Sequence, residues 1–108
     1  MEYRPERWLM VRLSNDGKIH YRIFAVWIGG YLNGDSWQLN SGVVSLSETE
    51  EEYSFRGTSG SLYVCHKNCY GSSGYGFGVL NNLIDKSLEH GTVIEVLPEK
   101  TDFMSLIY

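Results

Sequence analysis

The sequence predicts an α+β domain: an antiparallel sheet of about five to six strands with one helix packed on a face, in the order β-β-β-β-β-α-β. Three observations carry this. Several short runs alternate apolar and polar residues, as a strand does when successive side chains point to opposite faces. Turns rich in Gly, Asn and Ser separate those runs. A single late stretch, around residues 79–88, changes to helical spacing. Hairpin-linked strands followed by a helix and a last strand make an α+β arrangement.

The first strand covers residues 8–13, with Leu9, Val11 and Leu13 on one face and Trp8, Met10 and Arg12 on the other. Ser14-Asn15-Asp16-Gly17-Lys18 follows, a turn built from residues that accept positive φ. Residues 19–28 return as the second strand. Its first half alternates Ile19, Tyr21 and Ile23 with Lys18, His20 and Arg22; its second half is apolar on both faces, as in a central strand covered on both sides. Residues 29–36 are a loop. Trp37 and Leu39 restart the alternation, and the apolar phase flips at Asn40-Ser41-Gly42 before Val44 and Leu46, which predicts a bulge or tight turn. Glu48, Glu50, Glu51 and Glu52 form an acidic, solvated turn. A strand over 53–56, a hairpin loop Gly57-Thr58-Ser59-Gly60 with Gly60 left-handed, and a strand over 62–67 come next.

The helix carries Val79, Leu80, Leu83, Ile84 and Leu88 on one face, with Asn81, Asn82, Asp85, Lys86 and Glu89 opposite. Ser72 or Ser73 can cap its start and Gly91 can end it. Residues 92–97 are the last strand, stopped by Pro98, and Phe103, Leu106 and Ile107 form a docking tail. One helix over five hairpin-linked strands leaves a sheet face partly bare, so some aromatic surface is expected to be exposed or dimeric.

At 108 residues, the expectation is a single globular domain over 1–108, large enough to fold without staples. A hydrophobic content of 43% with 20% charged residues excludes the disordered classes. The first residues lack the apolar core of a secretory signal, and the longest apolar run, residues 23–28, is too short to cross a bilayer. The expectation is therefore a cytoplasmic protein with no membrane association, in which Cys65 and Cys69 are free thiols. A net charge of −4 argues against a general nucleic-acid binder. The charge is uneven: residues 1–28 hold five Lys/Arg against three acids, and residues 29–108 hold four against ten. In size and style the chain resembles the small single-domain proteins common in bacterial genomes and prophages; the resemblance rests on no motif and implies no function.

The most distinctive stretch is Asn68-Cys69-Tyr70-Gly71-Ser72-Ser73-Gly74-Tyr75-Gly76-Phe77-Gly78, the palette of an adaptable contact loop. Tyr supplies stiff contact area, and Ser, Gly and Asn supply pliable hydrogen bonding. Tyr31, Asp35 and Trp37 border a second loop. If both loops lie at one end of the sheet, Tyr31, Asp35, Trp37, Tyr70, Ser72, Ser73 and Tyr75 form one binding surface for an unidentified protein partner or for a second copy of the chain. Aromatics with a polar tip are favoured at such contacts.

Catalytic signatures are sparse. The chain has no phosphate-binding Gly-x-x-x-x-Gly-Lys, no Gly-x-Ser-x-Gly and no His-Glu-x-x-His. Gly74, Gly76 and Gly78 precede a helix but lack the parallel βαβ unit and the basic residue that a phosphate cradle needs. Cys65-His66 lies on a strand, where neighbours point apart, so Cys65 as a catalytic thiol would need His20 or His90 as its base. Half a zinc site in Cys65-His66-x-x-Cys69 has no paired second half, and neither a metal nor another cofactor is expected. The basic hairpin face of Arg12, Lys18, His20 and Arg22, with Trp8 and Tyr21 nearby, is the remaining alternative, a weak single-stranded nucleic-acid site. The sequence thus favours a small binding or regulatory protein, with a Cys65 enzyme and a nucleic-acid binder as the alternatives.

Overall fold

The computed structural model describes residues 1–29 and 34–107. The chain is α+β, and its strands divide between two four-stranded sheets. In chain order the elements are β1 (Glu2–Tyr3), β2 (Arg7–Asn15), β3 (Lys18–Trp27), β4 (Ser36–Leu39), β5 (Val43–Glu48), β6 (Glu52–Gly57), β7 (Leu62–His66), a 3-10 turn (Lys67–Cys69), helix α1 (Gly74–Glu89), β8 (Val93–Val96) and the short helix α2 (Phe103–Ile107). One sheet runs β1-β7-β6-β5 and the other β4-β3-β2-β8. Every pairing is antiparallel except β1 with β7.

The split corrects the expectation of a single sheet. At Asn40–Gly42, where the sequence shows a phase flip, the chain leaves one sheet and enters the other. The Asn40 N–H still bonds to the Ile23 carbonyl of the first sheet at 3.0 Å, while the Gly42 carbonyl already accepts from Thr58 of the second at 2.9 Å. Asn40 itself is buried, and its Oδ1 accepts from the Ile23 N–H at 2.8 Å.

Two cores result, one on each face of the β4-β3-β2-β8 sheet. Between the sheets lie Trp8, Met10, Ile23 and Ala25 against Leu46, Phe55, Tyr63, Cys65 and Phe103. On the other face Leu9, Val11, Phe24 and Val26 meet Leu80 of α1 and Ile94 of β8. Residues 23–26 of β3 are all fully buried, because this central strand is covered by the second sheet on one side and by α1 on the other. The molecule is thus three layers: sheet, sheet, helix. Each fully buried large apolar side chain contributes about 1.5–3 kcal/mol.

Local chemistry fixes the joints. The β2–β3 hairpin turns on Asp16 and Gly17 with φ of 50° and 78°, the two positive angles of the tight turn whose twist suits flanking strands. The acidic turn is tied down by Lys67 to Glu48 at 2.6 Å and Arg4 to Glu52 at 3.2 Å. Helix α1 starts at Gly74, directly after Ser73, one of its two expected caps, so Gly74 to Gly78 are helical and not loop. Glycine costs a helix about 1 kcal/mol relative to Ala. That cost is offset by the Ser73 cap, whose side chain accepts from the Gly76 N–H at 3.0 Å, and by the close approach that Gly76 permits. The apolar tail becomes α2, and its Phe103 plugs the end of the inter-sheet core.

Candidate interaction surface

The surface is built where α1 begins. Gly76 presses on β3: a Cβ there would stand 2.8 Å from Val26 Cγ2, so only glycine lets the helix come this close. Successive helix residues are rotated by about 100°. Tyr75 and Phe77 therefore flank the line of contact, one on each side. Val26 pairs in register with Trp37 of the edge strand β4. The Trp37 ring stacks on Phe24, with centroids 5.8 Å apart and planes at 23°. Ile28 continues β3 two residues beyond Val26, and its N–H bonds to the Glu6 carboxylate. Trp37, Tyr75, Phe77 and Ile28 are 38%, 42%, 45% and 46% exposed. Four large apolar side chains, on β4, on α1 and just past the end of β3, thus reach solvent near the Gly76–Val26 contact.

The residues expected to form the binding surface fall into distinct places. Tyr31 lies outside the described residues. Asp35 is half-buried just ahead of β4, and Trp37 and Tyr75 are exposed. Tyr70 is an internal bridge, a correction to its expected place on the surface. Its ring packs edge-on against Trp8 at 4.7 Å, and its hydroxyl accepts from the Met10 N–H at 3.2 Å and donates to the Leu97 carbonyl. It thereby closes the end of β2, where β8 has run out, and burial raises its phenol pKa. Ser72 and Ser73 also turn inward: Ser73 caps α1, and the Ser72 Oγ is buried beside Gly76. Phe77 and Ile28 were not among the expected residues. The signal for Phe77 was present, because stepping back four from Leu80 puts Gly76, not Phe77, on the buried stripe. Leu88, expected on that stripe, is 60% exposed.

Removing the Tyr70 hydroxyl tests its bridging role. Tyr70→Phe leaves the Met10 N–H without its partner and is expected to lower stability by about 1–3 kcal/mol, measured by urea unfolding.

Tyr63 and Cys65 point into the inter-sheet core, and Val64 points to the outer face. Alternation gave two faces, and the second sheet decided which one is inside. Burial drives the Cys65 thiol far above the ordinary range, and burial also pushes Tyr63 up to about 12. The neighbouring His66 Nδ1 accepts from the Asn68 N–H at 3.1 Å. This is the environment of a structural thiol. A pH dependence follows. An unfolded chain releases protons from Cys near 9.0 and from Tyr near 10.0, while the folded chain retains them on Cys65 and Tyr63. Above pH 9 the unfolded state therefore binds fewer protons, and stability falls as pH rises. The contribution is whole below about pH 9 and is lost through the pH 12 region of Tyr63. Urea midpoints measured across that range are expected to decline, and Cys65→Ala is expected to flatten the decline.

The basic hairpin divides. Arg12 lies on the inter-sheet side and bonds to Glu95 at 2.8 Å, and Trp8 is fully buried, its Nε1–H donating to the His66 carbonyl at 2.7 Å. Lys18, His20 and Arg22 remain together on the helix-side face of β3.

Among the described residues, no cluster of His, Cys, Asp or Glu has the grouping to hold a metal ion, and no helix is long and apolar enough to cross a membrane. The chain matches no protein-family model, no curated protein and no solved structure.

Proposed function

We propose that the chain is a small binding or regulatory protein that acts through a protein–protein contact centred on Trp37, Tyr75 and Phe77. The partner is a protein with an apolar face of its own, or a second copy of this chain. The observation that carries this reading is the exposure of large apolar side chains near the contact of α1 with Val26 of β3, whose strand neighbour is the edge strand β4. Isolated exposed apolar residues are ordinary, but neighbouring aromatics held on regular structure are the usual anchors of an interface. Their support is stiff, since Trp37 rests on Phe24 and Gly76 pins the helix to Val26. A Cys65 enzyme is less well supported, because the thiol has no solvent access and is held protonated.

Truncation tests the reading. Trp37→Ala and Phe77→Ala are each expected to weaken binding to the captured partner about thirtyfold, the ~2 kcal/mol of a hot-spot residue, with unchanged circular dichroism. Sedimentation velocity over a range of concentrations distinguishes a second copy from another partner. A concentration-dependent dimer that both variants abolish identifies self-association.

A further inference from the structure

At the other end of β3, next to the hairpin tip, is an open cleft of about 420 Å³ lined by Leu13, Asn15, Asp16, Lys18, His20, Arg22 and Thr92. We propose that this cleft binds a small phosphorylated ligand of nucleotide size, held by Lys18 and Arg22 with Asn15 and Thr92 at its wall.

Charge pairing is the first argument. The chain carries 13 acids against nine Lys/Arg. Five of the seven other Lys/Arg find partners: Arg4 with Glu2 and Glu52, Arg7 with the Tyr70 carbonyl, Arg12 with Glu95, Arg56 with the Gly60 carbonyl and Lys67 with Glu48; Lys86 and Lys100 are isolated, exposed charges. Among the described residues, Lys18, His20 and Arg22 have no side-chain hydrogen bond or ion pair, although they converge on one cavity. Asp16 at the rim offsets one of these charges.

Unmet donors are the second argument. The Arg22 Nε is buried with no partner. Arg22 also borders an adjoining polar cleft of about 220 Å³, where the Nδ2 of the buried Asn40 is likewise unpartnered. The Asn40 amide cannot be turned round, because its Oδ1 accepts from the Ile23 N–H. Of these two donors, the Arg22 Nε belongs to a residue lining the proposed cleft, while Asn40 lines only the adjoining one. A buried donor left unmet costs about 1–3 kcal/mol, which an acceptor-rich ligand would recover. Phosphate oxygens are acceptors only, and arginine's fork matches them.

Size and shape are the third argument. A volume of about 420 Å³ falls in the range of small-molecule sites. The site lacks the stacking platform that single-stranded nucleic acid needs, since Trp8 is buried and Arg12 is paired on the other face.

The test is an NMR titration of the isotope-labelled chain with adenosine monophosphate, with inorganic phosphate and with an oligothymidine. The expected result is a saturable shift of the Arg22 Nε–H and Asn15 side-chain signals with adenosine monophosphate, and a weaker one with phosphate. Arg22→Gln and Lys18→Gln each weaken binding tenfold or more, and Trp37→Ala leaves it unchanged. Neither Lys18 nor Arg22 makes a side-chain bond within the described fold, so both variants are expected to fold; the amide spectrum checks this. Absence of saturation, or equal affinity in Arg22→Gln, overturns the proposal. So does tighter binding of the oligothymidine with a steep salt dependence, which assigns the cations to a nucleic-acid strand.

Discussion

Trp8→Ala is expected to unfold the protein or bring it to the edge of unfolding. Trp8 is 1% exposed and sits at the hub of the inter-sheet core, in ring contact with Tyr53, Phe55, Tyr70 and Phe103 at 4.7–5.9 Å. Deleting a buried aromatic of this kind costs about 3–5 kcal/mol, because the surrounding rings cannot close a hole of that size. The substitution also strands the His66 carbonyl, which receives the indole N–H, and that adds about 1–3 kcal/mol. The sum is comparable with the whole stability of an ordinary domain. The check is urea unfolding followed by circular dichroism. Trp8→Phe keeps most of the ring volume and is expected to retain a cooperative transition at a lower midpoint. A Trp8→Ala protein with a near wild-type midpoint would contradict the two-sheet arrangement around this residue.

Phe103→Ala is expected to have the second-largest effect, about 3–5 kcal/mol. Phe103 is 1% exposed and belongs to a helix of only five residues, yet it touches Trp8, Tyr53, Phe55 and Tyr70. Such a short helix has little stability of its own. The interaction runs in both directions: the core holds α2 in place, and α2 closes the core. Loss of Phe103 should therefore release α2 and expose the rings beneath it. Hydrogen exchange reads this directly: amides of residues 103–107 lose protection in the variant, while those of β2 and β3 follow the fall in global stability. Unchanged protection at 103–107 would show that α2 is held by other contacts.

Much of this fold was legible in the sequence for identifiable reasons. The β2–β3 hairpin declares itself through alternation and Asn15-Asp16-Gly17, and the doubly buried half of β3 through its unbroken apolar run. The division into two sheets was not legible. The phase flip at Asn40-Ser41-Gly42 reports a break in the pleat, but local periodicity does not say that the chain crosses to another layer. Ser73 was one of the two expected caps of α1, yet Gly74 to Gly78 read as loop because glycine's low helix propensity is overridden by a tertiary contact, Gly76 against Val26. Tyr70 looked like a surface contact because its partners, the backbones of Met10 and Leu97, are 60 and 27 residues away in the chain. For the proposed binding face, the sequence named Trp37 and Tyr75, and both side chains are exposed. Which neighbours join them, Phe77 and Ile28, depends on the angle at which the helix meets the sheet.

The central claim is that the face around Trp37, Tyr75 and Phe77 holds a protein partner. The most direct measurement is quantitative capture from a lysate of the source cells on three immobilised proteins: wild type, Trp37→Ser/Phe77→Ser and Arg22→Gln. A partner is expected to be retained by wild type and by Arg22→Gln and lost from the double variant. Equal recovery on all three, or recovery lost only with Arg22→Gln, would contradict it.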